Sequence, residues 1–498
     1  MPLGRNISRW LRMIPWLCFG AFAAWVLWLG VTRWGGVPAD VRGADAEELP
    51  PLPVDPACDR TEELLAALKL LPAEDVELTL PAPPTGKQWR NGRTTMRLED
   101  AMDGSIRGPW SPADRPAQQL LIELVETPQV RRGLDALLAM DAGEFDSERV
   151  FLSEIDRAIQ LLTFRSRYLR AGLQDIQGGL DDLFGAYRLA AICYKTSKVR
   201  TRTMTLVIRS PSELSSVSFA IGHEVRVVAE LRRLAYENSL VCARALNIEE
   251  RLREMSPEPS AIWDHAVQER IAWLRRQVNL AFTDDGQGDG WLVLSHLRFP
   301  LDLTAARPER AGLWNMFSPI FNDRRAVTCK IEDLRQTLEA VRGLSYLDAH
   351  ERLRAIPGRT FNYLDGPVVV DEEVSWDAVA LHCYLAFGIA HRRALAADLA
   401  LSAYRAKHGE YPASLTELVG RYLREVPADP FGGEALCYRR EGNEGYLLYT
   451  VGPNLRDDGG VETGAHLHDD PGDNSGDVVF DHRRETPRWD PELEEVKP

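Results

Sequence analysis

The sequence predicts a mainly α-helical protein that ends in a small α+β module and is held to a membrane by one N-terminal helix. Three observations predict it. Residues 13–32, "MIPWLCFGAFAAWVLWLGVT", carry no charge. From about residue 115 to 356, Leu, Ile and Val recur at spacings of three and four, with Arg and Glu between them, the pattern of amphipathic helices. From residue 375 one long helical pattern gives way to turn residues and two short alternating runs. A chain of 498 residues with 45% hydrophobic content is long and apolar enough for more than one folded unit. Its net charge of −15 argues against a nucleic-acid partner, which needs clustered Lys and Arg to displace counterions from phosphates.

Residues 1–12 read as a cytoplasmic tail and 13–32 as a transmembrane helix of about 30 Å, which matches the hydrocarbon thickness of a bilayer. A cleaved signal peptide would end in a small-residue site, but the Ala-x-Ala triplet at residues 21–23 is followed by Trp25, Val26, Leu27, Trp28 and Leu29. The segment therefore reads as an uncleaved signal-anchor. Arg5, Arg9 and Arg12 precede it and Asp40, Asp45, Glu47 and Glu48 follow it, so the N-terminus is expected in the cytoplasm and the bulk of the chain on the periplasmic or extracytoplasmic side. Trp10, Trp16, Trp28 and Trp34 stand near the two interfaces, where membrane lipid favours indole rings.

Residues 33–60, rich in Pro, Asp and Glu, read as a spacer. The ectodomain at 61–374 reads as a helical array, with a short helix from residue 61, a break at "PAPPTGKQWRNG", and "TMTLVIRS" as a lone strand. Of the seven cysteines, Cys58, Cys193, Cys242, Cys329, Cys383 and Cys437 lie beyond the span without metal-ligand spacing and read as buried free thiols. "TDDGQGDGWLVLSH" lacks the EF-hand ligands at its third and twelfth positions. "GHEVRVV" lacks the second His of a zinc-protease helix, and His382 and His391, nine apart on one helix, face opposite ways. There is no nucleophile elbow, P-loop or dinucleotide fingerprint.

Residues 375–481 form the C-terminal module, followed by a polar tail at 482–498. Its helix carries Leu381, Leu385, Leu395, Leu399 and Ala403 along a stripe, and Gly409 and Pro412 are expected to end it. Ser414 and Glu417 form a capping box for a second short helix with Leu415, Leu418, Val419, Tyr422 and Leu423 on its apolar face. Pro427, Pro430 and the pair Gly432-Gly433 then turn the chain into the strands "ALCYRR" and "YLLYTV" of a hairpin.

In this order, "ALSAYRAKHGEYPASLTELV", "VPADPFGG", "YLLYTVGPNLRDDGG" and "GDVVF" resemble the C-terminal half of the major pseudopilins of type II secretion systems. They resemble more closely the pseudopilin-like domains at the ends of large membrane-anchored bacterial proteins of planctomycete-like genomes. The resemblance implies a spine helix packed on a small antiparallel sheet, and a Ca2+ site in the loop after the hairpin. Its Gly-x-Asp/Asn and Asp-Gly-Gly elements fall on Gly452, Asn454, Asp458, Gly459 and Gly460, and its late Asp on Asp477. The chain departs from pilins in lacking the prepilin cleavage motif and in separating its anchor from the spine helix, which argues against polymerisation.

Independently of the resemblance, Asp457, Asp458, Asp469, Asp470, Asp473 and Asp477 crowd one loop. A hard divalent cation would relieve their repulsion through oxygen ligands; a solvated acidic loop is the other reading. The candidate metal ligands are Asn454, Asp457, Asp458 and Asp477, with Ca2+ as the ion. Two functional classes follow. One is a non-catalytic, membrane-anchored scaffold or binding protein with protein partners, linked to secretion or cell-surface assembly. The other is an extracytoplasmic hydrolase with a site in the helical region built from residues such as His223, Glu224 and Asp285.

Overall fold

The computed structural model describes residues 23–24, 59–73, 76–82, 87–89, 94–107, 110–112, 115–140, 149–194, 213–236, 242–284, 286–287, 290, 324–354, 372–442, 445–461, 476–480 and 493–495. The cytoplasmic tail, the membrane anchor apart from helical residues 23–24, nearly all of the 33–60 spacer and the "TMTLVIRS" strand lie outside the described residues. Among the described residues no helix is long and apolar enough to cross a membrane.

The chain is mainly helical with a small antiparallel sheet near its C-terminus. In order, the first half gives α1 (Thr61–Leu68), β1 (Glu77–Thr79), β2 (Lys87–Trp89), β3 (Thr95–Arg97), α2 (Leu98–Arg107), α3 (Pro116–Val125), α4 (Pro128–Ala139), α5 (Leu152–Arg167), α6 (Ile176–Cys193), α7 (Glu213–Tyr236) and α8 (Cys242–Met255). There follow α9 (Pro259–Ala281), α10 (Arg324–Ala340), α11 (Tyr346–Arg354), α12 (Glu372–His408), β4 (Cys437–Glu441), β5 (Gly445–Thr450), β6 (Val478–Val479) and β7 (Leu493–Glu495). Two compact units emerge, one drawing on residues 51–266, 343–351 and 379–498, the other on 267–342 and 352–378.

Local chemistry sets the helix boundaries in the larger unit. Pro116 and Pro128 occupy the first helical turns of α3 and α4, where a missing N–H costs nothing. Helix α5 loosens into one π turn at Tyr168–Gly172, and Asp175 then caps α6 by accepting from Gly178 N at 2.9 Å. Buried arginines lace the array together. Arg165 of α5 grips Asp182 of α6 with two donors of one edge, Nε at 2.9 Å and Nη2 at 2.7 Å. Arg170 reaches Glu230 of α7 at 3.1 Å, and Arg167 donates to the Ser105 carbonyl of α2 at 2.6 Å. Such pairs tolerate burial because each charge is matched by hydrogen bonds. In the smaller unit, Arg324 ties the start of α10 to the end of α9 through Asn279 at 2.7 Å and Asp284 at 2.6 Å.

Helix α12 is buried on nearly all sides over its second half. Leu381, Leu385, Leu395, Leu399 and Ala403 are buried as expected, yet most of that stripe does not face the sheet. The sheet side is a row of small residues, Cys383, Ala386, Ala390, Ala394, Ala397 and Leu401, which packs against Tyr411, Leu415, Leu418, Phe431, Tyr446, Leu448 and Phe480. Gly409, with φ of +80°, ends the helix as expected. The capping box is present: Ser414 Oγ accepts from Thr416 N at 3.1 Å, and Glu417 accepts from Ser414 N at 3.2 Å.

Three expectations are corrected. The second helix is a single 3-10 turn, Leu415–Leu418, because Val419 is already extended and Gly420 takes φ of +83°. Val419, placed on the apolar face in the sequence, is 42% exposed. The break around residues 81–92 and the polar tail each contain a strand, since Lys87–Trp89 pairs antiparallel with Leu493–Glu495. The hairpin pairs Cys437 with Tyr449 and Glu441 with Gly445, and β6 adds beside β5 to make the order β4-β5-β6.

Phe431 is fully buried in the core between α12 and the sheet. Phe431→Ala is expected to destabilise the folded chain by about 3–5 kcal/mol, read as a lowered urea midpoint with an unchanged slope. An unshifted midpoint would show that this core does not support the fold.

Candidate functional site

The acidic loop begins where β5 ends. Every residue of β5 is buried, and the chain stays largely buried through Gly452 and Pro453 just beyond it. Gly452 turns it there with φ of +67°, and any side chain at that point would run into the Gly476 carbonyl, 2.4 Å from a Cβ. Asn454 then accepts from Arg456 N at 3.0 Å and donates its amide to Asp458 at 2.8 Å. Asp457 accepts from the Tyr449 hydroxyl at 3.0 Å and from Gly459 N at 2.9 Å. Asp477 closes the loop from the other side, accepting from Asp458 N at 3.2 Å and Gly460 N at 2.6 Å.

The four predicted ligands are therefore brought into one hydrogen-bonded loop. Asp477 is 1% exposed, whereas Asp457 and Asp458 face solvent. Burial pushes the Asp477 carboxyl above the usual carboxylate range; the two backbone N–H donors pull it down, and the charges of Asp457 and Asp458 push it up again. Among the described residues no three His, Cys, Asp or Glu side chains converge as a metal-ligand set. Asp469, Asp470 and Asp473 lie outside the described residues.

A second carboxylate holds the turn before the hairpin. Asp429 of "PADPF", 2% exposed, accepts from Phe431 N at 2.8 Å and Val451 N at 2.9 Å, so it fixes both the turn and the exit of β5. Burial raises its pKa against the pull of those donors.

Behind the sheet, the larger unit holds two buried charge clusters that join the array to α12. In one, Arg392 of α12 donates to Glu224 of α7 at 3.2 Å and to the Tyr187 hydroxyl of α6 at 3.5 Å, and Tyr187 meets Ser256 at 2.6 Å. Burial raises the Glu224 pKa while Arg392 opposes it, and burial pushes Tyr187 up to about 12. In the other, Arg232 of α7 donates Nε to Asp398 of α12 at 2.5 Å and Nη2 to the Phe480 carbonyl at 2.7 Å. The Tyr446 hydroxyl fills the second oxygen of Asp398 at 2.7 Å.

Neither cluster assembles the hydrolytic site that His223 and Glu224 invite. The two are neighbours in sequence but about 100° apart around α7, and they serve different partners. His223 meets Asp156 of α5 at 3.2 Å, and Glu224 is engaged by Arg392. Asp285 lies outside the described residues. His382 and His391 also part company: His382 stacks edge-on against Trp263, while His391 sits between Phe387 and Phe480 with ring centroids 4.5 and 5.0 Å away. Cys193 and Cys383 are buried free thiols as expected, and burial raises both; Cys437 is only half-buried, and Cys329, expected to be buried, is exposed. Sequence reasoning missed Arg232, Arg392, Asp398 and Asp429. Its one available signal was charge on otherwise apolar α12.

His223 and His391 are both pushed down to about 3, mainly by burial and further by Arg226 and Arg232 respectively. The folded state thus refuses protons that the unfolded chain accepts below its ordinary histidine pKa near 6.5. Their contribution is complete above that pH and is lost as pH falls towards 3. Between pH 6.5 and 5 each is expected to cost about 2 kcal/mol, and His391→Leu should remove one such share from the pH dependence of urea unfolding. An identical slope in parent and variant would place the proton on folded His391. Comparison with protein-family models, curated proteins and solved structures finds no match, so any functional reading stands on the residues described above.

Proposed function

We propose that this chain is a single-pass membrane-anchored envelope protein with a non-catalytic scaffold or binding role, whose pseudopilin-like C-terminal module carries Ca2+ in its acidic loop. The observation that carries the reading is the gathering of Asn454, Asp457, Asp458 and Asp477 into one loop beside a spine helix and a three-stranded sheet. The donor chemistry fits. All four side chains offer hard oxygens, which suit calcium better than a softer ion, and hydrogen bonds to N–H groups leave carboxylate lone pairs free. Those residues would hold the ion, and the ion would supply positive charge to an acidic loop. The envelope location is supported by the uncharged N-terminal stretch and by the asymmetry of charge on its two sides. Protein partners at the envelope, in secretion or surface assembly, follow from the module's resemblance. The hydrolase alternative draws less support, because Glu224 and His223 are each committed to a structural partner.

Two outcomes are expected. Full-length protein in detergent should melt higher in calcium than in EGTA, by about 2.7 kcal/mol at a calcium concentration one hundred times Kd, and Asp458→Ala should lose most of that rise. Equal melts with and without calcium would remove the cation from the reading. Protease added to spheroplasts should digest the bulk of the chain without lysis; protection until lysis would refute the orientation.

A further inference from the structure

Strand β6 is two residues long, and its pairing with β5 rests on Val478 opposite Thr450 and Val479 opposite Tyr449, extended by Phe480 N to the Leu448 carbonyl at 2.9 Å. So short a strand has few ladder bonds to hold its register, and a slip of one residue would turn every side chain to the opposite face. The consequence would fall on Asp477, directly before β6, whose carboxylate would leave the amides of Asp458 and Gly460. The far end of the same strand is held by a residue from another part of the sequence. Arg232 of α7, 5% exposed, donates to the Phe480 carbonyl at 2.7 Å while its Nε is held by Asp398. Its guanidinium also lies over the Phe480 ring, 4.9 Å from the centroid. A planar guanidinium whose adjacent Nε–H and Nη2–H reach Asp398 and the Phe480 carbonyl from one edge ties the position of Phe480 to that of Asp398.

We propose that Arg232 is a positioning residue for the acidic loop: by pinning Phe480 it sets the register of β6 and aims Asp477 at the loop, which makes closure of the loop conditional on the helical array. The linkage runs both ways, since whatever opens the loop loosens β6 and whatever displaces α7 frees Asp477. The assignment concerns the loop invoked above but needs no cation, so the two stand or fall separately.

Hydrogen exchange of the full-length protein in detergent, without added calcium, tests it. Arg232→Lys keeps a charge beside Asp398 but cannot span both acceptors. It is expected to speed exchange at the Asp458 and Gly460 amides roughly tenfold while the amides of α5 and α6 stay protected. Asp477→Ala should produce the same local acceleration, and combining the two should add nothing further. If Arg232→Lys does not fold, Asp398→Asn, which weakens the same guanidinium's anchorage at constant volume, is expected to give the same pattern. Parent-like exchange at both loop amides in a folded variant, or full additivity with Asp477→Ala, would overturn the proposal.

Discussion

The larger unit depends on arginine forks that are buried with their acceptors already in place. Taking a guanidinium and a carboxylate out of water costs several kcal/mol per ion, and the cost is offset only when both groups are fully hydrogen-bonded. Arg232 is held by Asp398 through Nε and by the Phe480 carbonyl through Nη2, while Tyr446 takes the second oxygen of Asp398. Burial raises the Asp398 pKa and Arg232 opposes it, so the pair is stable as a pair and not as two ions. Helix α12 needs this kind of instruction. A helix with apolar residues on every side has no preferred rotation about its axis, and small residues such as Ala390, Ala394 and Ala397 slide easily against neighbours. Charges that find acceptors in one orientation supply the missing direction.

Much of the C-terminal module was legible because its signals are local. Gly409 follows a helical pattern, Ser414 and Glu417 stand three apart, and the two alternating runs flank a glycine-containing loop, so each element declares itself within a few residues. The same locality explains the overreach at the capping box. The cap is correctly placed, but the length of what it caps was decided by Gly420, whose left-handed backbone stops the turn. The rest was hidden because its partners are distant. Nothing near Arg232 in the sequence points to Phe480, and nothing near Lys87 points to Glu495. The leucine stripe on α12 was visible in the sequence, whereas which side of the helix meets the sheet was not. The sheet brings its own bulk, Phe431, Tyr446 and Phe480, and so meets the small residues.

The acidic loop uses its carboxylates first as backbone acceptors. Asp429, Asp457 and Asp477 each take main-chain N–H groups that would otherwise go unsatisfied where the chain turns away from the sheet. For Asp429 and Asp457 this is the Asx-type chemistry that makes Asp and Asn frequent in turns, whereas Asp477 reaches back across the loop. It gives the clustering of acids a structural cause as well as the electrostatic one. The candidate ligands were recognisable as residues, whereas the division of labour between Asp477, which is buried and closes the loop, and Asp458, which is exposed and pairs with Asn454, came only with the fold.

The antiparallel pairing of Lys87–Trp89 with Leu493–Glu495, together with the reach of Arg232 to Phe480, bears on the order in which the molecule is made. Synthesis delivers the array hundreds of residues before the strands that complete it, and contacts of such wide sequence separation form slowly. Until residue 480 emerges, Arg232 has no carbonyl to receive its Nη2–H, and the nascent array carries a hydrophilic group at a surface destined to be dry. The contacts that bury Arg232 therefore form only after residues 478–480 are available to pair.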